Sequence, residues 1–383
     1  MKIPDSRMFM EEKQDGKLRR SDCGIIAAVL IIKILLLAFA AESYRIAANP
    51  AVNETLNFFE IWSRWDAESY LKIAENGYAA TGEDRFLIVF FPLYPLLVAV
   101  FRGVFGDTLV SAFFVSGVAS VALGLFFYKL VGLDHTEKTA RLSVLFMFIF
   151  PTSYFLHIPY TESLFLALTV GCFLAARRRN HLAAGFLGAL ACLTRINGLI
   201  LIPALCFEIL DEYRETRRFD ARWIFYGFVP LGFGIYLALN YFVAGSPTMF
   251  LTYQREHWFR YFRVPWEGIW ETYERMYYPR AGEAQMQGFQ ELLFVAIGLF
   301  AVVAGWRHLR NSYRVWMVLN WLLSVSTSFV LSVPRYTLLL FPLFMLMALA
   351  SAGNRWIRLI FTVWSLLYLS LFTTQFVRGW WAF

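Results

Sequence analysis

The run "FFPLYPLLVAVFRGVF" at residues 90–105 decides the topology of this chain. It is apolar and nearly long enough to cross a bilayer, which takes roughly 17–25 mostly apolar residues. Whether it crosses sets the side of every loop after it. The sequence around it is 58% hydrophobic, 19% aromatic and only 16% charged, with the apolar residues gathered in long runs. That is too apolar for a water-soluble domain. The chain reads as an all-α, polytopic membrane protein.

Candidate spans fall near 25–43, 109–131, 142–158, 161–177, 181–194, 196–210, 223–243, 289–306, 315–333, 336–350 and 356–376, or about eleven. The short ones, at 142–158, 181–194, 196–210 and 336–350, are expected to be buried among other helices, tilted, or thinning the bilayer. A cleaved signal is imitated by "KLRR" before the first span and "AFA" at 38–40. Lys33 within the run and the long charged leader favour a retained helix.

Lys and Arg concentrate on the cytoplasmic side of short loops. With the N-terminus cytoplasmic, "RRRN" at 177–180 and "EYRETRRFDAR" at 212–222 both lie inside. Making 87–105 a full span would invert every later loop, so it is expected as a re-entrant or interface-lying helix. The organisation is then a cytoplasmic tail, 1–24, and one integral-membrane domain, 25–383, with large outer loops at about 44–108 and 244–288.

Other classes find no support. Cys23, Cys172, Cys192 and Cys206 lie in or beside spans, at no metal-ligand spacing, and the five histidines do not cluster in sequence. No metal site is expected. There is no repeat, phosphate loop or dinucleotide fingerprint. The formal charge of +7 is explained by cytoplasmic loops on anionic lipid, without nucleic acid.

Before the opening run lies "WSRWDAESYLKIAENGY", residues 62–78. On a helical wheel Arg64, Glu68, Lys72 and Glu75 share an arc of about 80°. Asp66 lies nearly opposite, among Trp62, Tyr70 and Ile73. A carboxylate on an aromatic face is costly unless paired, and such sites tune acid–base groups. The competing reading makes Asp66 an N-cap where the helix begins after Trp65.

"RWDAESYLKIAENGY" and "FFPLYP", then "FPTSYFLHIPYTESLF" at 150–165, "LTRINGL" at 193–199 and "PRYTLLLFP" at 334–342 occur in that order. Together they resemble the family of the second GPI mannosyltransferase and its bacterial relatives, in the GT-C superfamily of integral-membrane glycosyltransferases. The resemblance implies inverting transfer of mannose or a similar sugar from a polyprenyl-phosphate donor to a hydroxyl of a glycolipid or glycan, at the outer or lumenal face. Asp66 matches the general base of the first outer loop. Ser69 stands where the GPI enzymes carry a histidine, a departure that bears on the acceptor. The compact chain favours a bacterial relative, in the inner membrane with a periplasmic site; a eukaryotic one would sit in the ER membrane. No cofactor or metal is implied, and the oligomeric state is open.

The matched motifs supply Arg64, Trp65, Tyr70, Tyr94, His157, Tyr160, Glu162, Arg195, Asn197, Arg335 and Tyr336 as substrate-binding candidates. Glu162 could bind sugar hydroxyls or serve the positive end of a helix. A lone histidine such as His157 is more often structural. Arg195 and Arg335 interrupt apolar runs, where an arginine costs roughly 2.5–3.5 kcal/mol. A lipid phosphate would repay that, and snorkelling is the alternative. The second outer loop, "YQREHWFRYFRVPWEGIW" at 253–270, suits an interface belt or a headgroup platform, with Gln254, Trp258 and Trp266 as its candidates. The rival function is a polyprenyl-phosphate carrier or flippase, for which an isolated Asp among aromatics has no use.

Overall fold

The computed structural model describes residues 20–47 and 56–383. Most of the predicted tail, residues 1–19, and residues 48–55 of the first outer loop lie outside the described residues. Residues 20–24, assigned to the tail, already belong to α1 (Arg20–Ala47).

The stretch assigned to the first outer loop carries α2 (Asp66–Asn76) and α3 (Leu93–Phe105). Then come α4 (Thr108–Val131), α5 (Glu137–Phe148), α6 (Glu162–Arg177), α7 (His181–Cys192), α8 (Leu201–Thr216) and α9 (Phe228–Ala244). The stretch assigned to the second outer loop holds α10 (Met249–Glu256), α11 (Pro265–Arg275) and α12 (Ala281–Glu283). The last group is α13 (Gln290–Gly305), α14 (Asn311–Val325), α15 (Val333–Thr337), α16 (Pro342–Ala352) and α17 (Arg355–Val377). Among the described residues the only β pairing is an isolated antiparallel bridge between Phe262 and Thr327.

Among the described residues five helices are each long and apolar enough to cross a bilayer: Arg20–Ile46, Thr108–Val131, Ala221–Ala244, Ala281–Gly305 and Arg355–Val377. The remaining expected spans are shorter. The 12 residues of α5 extend about 18 Å, well short of a bilayer core of about 30 Å. The stretch predicted as a span at 142–158 is helical only to Phe148. Pro151 and Pro159 break the chain beyond it, and one 3-10 turn, Ser153–Leu156, interrupts the coil. This coil is buried, and its carbonyls find side-chain donors: Ser120 Oγ donates to Leu156 O. Irregular backbone is tolerated at membrane depth when protein surrounds it. Likewise the stretch expected at 315–333 is helical to Val325, and that at 336–350 resumes only at Pro342, leaving the short α15 between them.

The run at 90–105 becomes α3, set at 112° to the preceding segment Glu83–Val89. Pro92 makes the corner. Tyr94 and Val98 are buried on one side of α3, while Leu96, Val100 and Val104 stand exposed on another. A helix with one buried and one exposed apolar face suits contact with lipid.

Helix ends sort into two sets. At the end assigned to the cytoplasm, Arg177 pairs with Asp134 at 2.7 Å, Arg310 with Asp211 at 3.2 Å and Lys129 with Asp22 at 3.4 Å. At the other end Ser43 bonds Thr374 at 2.9 Å, and Asp66 meets Arg335 at 2.7 Å. Between them lies an aromatic core in which Phe341 contacts Phe127, Phe173, Tyr313 and Trp316.

Candidate active site

Trp65, at φ +49° and ψ −117°, turns the chain into α2. A bulky residue there costs on the order of 1–3 kcal/mol and persists only where packing enforces it. Phe376 and Trp381 hold its ring edge-on at 5.0 and 5.7 Å. Asp66 is the first residue of α2, and no side chain caps this helix. Its carboxylate instead accepts from Arg335 Nη1 at 2.7 Å.

Arg335 is the centre of the site. Its Nε donates to Glu162 Oε1, and the same oxygen accepts from Arg195 Nη1 at 2.6 Å. Arg195 Nη1 also donates to Thr161 Oγ1 at 2.8 Å. The result is an alternating chain, Asp66–Arg335–Glu162–Arg195, drawn from four separate elements. Exposure runs along it: the Glu162 and Arg335 side chains are 0% and 6% accessible, that of Arg195 11% and that of Asp66 33%. Asp66 is therefore the open end, where a solute can meet a carboxylate. The Arg335 guanidinium lies 4.8 Å from the Tyr160 ring and 5.1 Å from that of Phe155, stacking that an arginine tolerates better than a lysine.

Arginine supply extends to the second outer loop. Arg260 Nη1 donates to the Tyr336 hydroxyl at 3.2 Å, and its guanidinium and that of Arg195 lie 5.8 and 5.5 Å from the Tyr336 ring. Three arginines thus surround one patch whose carboxylates are two. Gln254 contributes through its backbone, its carbonyl accepting from the Arg260 amide at 3.0 Å.

Aromatic residues continue the wall. Tyr70 contacts Phe90, Tyr94 and Tyr160, and Trp258 reaches Phe90 at 5.9 Å. Other candidates are tied into the scaffold. Tyr94 spends its hydroxyl on Ser116 at 2.9 Å and Ala112 O at 3.2 Å. Asn197 donates to Asn320 at 2.8 Å, linking two helices. Arg64 reaches the Val377 carbonyl at 3.5 Å, while its own carbonyl accepts from Tyr160. His157 is buried against Phe148, with neither ring nitrogen hydrogen-bonded. Trp266 is 69% exposed on α11. Glu162 stands at the first residue of α6, as the helix-end reading expects, and is also committed to two arginines.

Sequence reasoning passed over Arg260, one of several arginines in its stretch, and Glu291. The latter is fully buried, and its two oxygens accept from the Ser332 and Val333 amides at 2.6 and 2.7 Å. It closes the start of α15, where Ser332 has φ +67°, and so places Arg335. An ionisable residue at the edge of an apolar run was the available signal.

A family model described as Mannosyltransferase (PIG-V) matches residues 37–222. Over that stretch this chain is similar to the PIG-V mannosyltransferases. The match contains Asp66, Glu162 and Arg195, while Arg260 and Arg335 lie beyond it. The chain is 30% identical over 200 residues to GPI alpha-1,6-mannosyltransferase 2 of Rattus norvegicus, covering 48% of this chain and 40% of the rat protein. It is 26% identical over 223 residues to GPI mannosyltransferase 2 of Schizosaccharomyces pombe, covering 52% and 47%. The match spans less than half of each curated relative's length. In three dimensions the chain is similar to the Archaeoglobus fulgidus oligosaccharyltransferase crystallised with a tethered acceptor peptide. The TM-score is 0.50 at 11% identity, over 92% of this chain and 55% of that one. At such identity the likeness concerns the fold alone.

Proposed function

We propose that this chain transfers mannose or a similar sugar from a polyprenyl-phosphate donor to a hydroxyl of a glycolipid or glycan at the outer or lumenal face of the membrane. The observation that carries the reading is the open carboxylate of Asp66 joined directly to an arginine cluster. In the reaction Asp66 takes the acceptor hydroxyl proton as that oxygen attacks the anomeric carbon. The bond from that carbon to the phosphate oxygen breaks, and the lipid phosphate leaves with the electron pair. One displacement inverts the anomeric centre. Arg335, Arg195 and Arg260 are the groups to receive the phosphate charge, since forked guanidinium groups match phosphate oxygens.

The resting pairing has a consequence for order. While Arg335 holds it, Asp66 has one oxygen occupied by the guanidinium and less lone-pair capacity to offer an incoming hydroxyl. A donor phosphate that draws Arg335 to itself loosens that pair and frees the carboxylate, while Glu162 keeps the guanidinium in place. Donor binding thereby prepares the base. Acceptor chemistry before donor entry is suppressed.

Neither a nucleotide sugar nor a metal has a role in this scheme. The test is to measure donor-lipid affinity and sugar transfer on purified Asp66→Asn, Arg195→Gln and Arg335→Gln chains in nanodiscs. Asp66→Asn is expected to bind donor and fail to transfer, and the arginine variants to lose both. A flippase would keep moving lipid without Asp66 and release no sugar. Full turnover by Asp66→Asn would overturn the proposal.

A further inference from the structure

At the opposite end of the bundle, His181 opens α7, Glu212 lies in the last turns of α8, and Asp220 precedes the 3-10 segment Ala221–Gly227. The 16 residues of α6 separate this end from Glu162 by about 24 Å. His181 is 1% exposed, and its Nε2 has no hydrogen-bond partner. That nitrogen lies 3.6 Å from Glu212 Oε1 and 3.6 Å from Asp220 Oδ2. All three ligand atoms lie within 4.8 Å of one another.

We propose that His181, Glu212 and Asp220 form a divalent-cation site, with Zn²⁺ as the best-fitting ion, that pins the loop after α8 to the start of α7. Two ligands each about 2.1 Å from a tetrahedral zinc lie about 3.4 Å apart, close to the observed His–carboxylate spacings. One imidazole and two carboxylates leave a position for water.

Each ligand is also oriented by a neighbour, as ligating groups are in metal sites. Tyr226 Oη lies 2.9 Å from His181 Nδ1, which with the proton on Nδ1 leaves the Nε2 lone pair facing the two anions. Trp223 Nε1 donates to Glu212 Oε2 at 3.1 Å, leaving Oε1 toward the histidine. Arg222 grips Asp220 through Nε on Oδ1 at 3.0 Å and Nη2 on Oδ2 at 2.7 Å, so an ion would share Oδ2 with that guanidinium. Carboxylate oxygens have lone pairs enough for an arginine and an ion together. Arg179, 3.7 Å from Glu212 Oε1, is the cation that must yield; its Nη2 already reaches Glu215 at 3.2 Å. The scaffold beneath is close-packed, since a Cβ on Gly185 would lie 1.9 Å from the Phe225 carbonyl oxygen. The histidine and its tyrosine are therefore fixed before any ion arrives.

The test uses the purified full chain in detergent, stripped with chelator and titrated with Zn²⁺ by calorimetry, with bound metal counted by elemental analysis. One equivalent per chain is expected, together with a rise in Tm. His181→Ala and Glu212→Gln should abolish binding, and Tyr226→Phe should weaken it about 10-fold. If His181→Ala fails to fold, Glu212→Gln and Tyr226→Phe carry the test. Less than one equivalent on the parent chain, or the same affinity in Glu212→Gln, would show an ion-pair network and no metal site. Sugar transfer by the stripped chain should persist, since the site is remote from Asp66.

Discussion

The two ends of the bundle handle charge in opposite ways. Around Asp66, ionic groups from α2, α6, α15 and the turn after α7 converge into one chain, buried at Glu162 and Arg335 and open only at Asp66. At the other end charge is divided among smaller networks, such as Arg310 with Glu208 and Asp211 or Arg179 with Glu212 and Glu215, and single pairs nearer water, as with Arg141 and Glu137, both more than half exposed. A buried chain of charges is held by mutual compensation, and removing one member leaves the others uncompensated in a low dielectric. An exposed pair is screened and contributes little. Where charge is concentrated and desolvated it can do chemistry; where it is spread out it mainly solvates and orients the protein.

The strongest test of this contrast is Asp66→Asn, which preserves size and hydrogen bonding but removes the base. Transfer should fall by about 10² to 10⁴-fold while donor binding stays. Next in size is Arg335→Gln, expected to reduce transfer by about 10² to 10³-fold, weaken donor binding and lower Tm, because Asp66 loses its partner and Glu162 one of its two. Unchanged donor affinity there would show that the arginine serves only the fold. Glu291→Gln should act through position alone. It keeps one acceptor for the Ser332 and Val333 amides but loosens α15, so kcat should fall by about 10-fold, and adding donor should not restore it. At the other end, Arg141→Ala is expected to leave transfer and Tm unchanged. Finally, the ends can be told apart chemically in a background lacking the native cysteines. Cysteine at Glu83 or Gly282 should label from outside and at Asn180 only after permeabilisation; the reverse pattern would invert the topology and remove the basis for an outer site.

Much of this was legible in the linear chain, for identifiable reasons. Apolar run length reports burial in lipid directly, so α1, α4 and α17 fall close to where the runs lie. Parity of loop charge singled out residues 87–105, and a bend at Pro92 followed by a helix with an exposed apolar face is what stands there. Asp66, Glu162, Arg195 and Arg335 stood out because each ionisable group is improbable where it occurs. Helix lengths at 142–158 and 336–350 were misjudged because hydropathy cannot tell a buried coil from a helix when both are apolar.

Composition and order alone determined that the chain lives in a membrane, that it is helical, and which residues had to find partners there. They act through local physics, the transfer of side chains and peptide groups out of water, and that can be summed along a sequence. Only the tertiary structure decided who those partners are. Asp66 and Arg335 are 269 positions apart, and no local rule could set a guanidinium between Asp66 and Glu162. That pairing depends on Glu291 closing α15, on Trp65 held in a strained turn by Phe376, and on α6 presenting its first residue at the same depth. Convergence of this kind is a property of packing between distant segments, and it exists only once the helices have assembled.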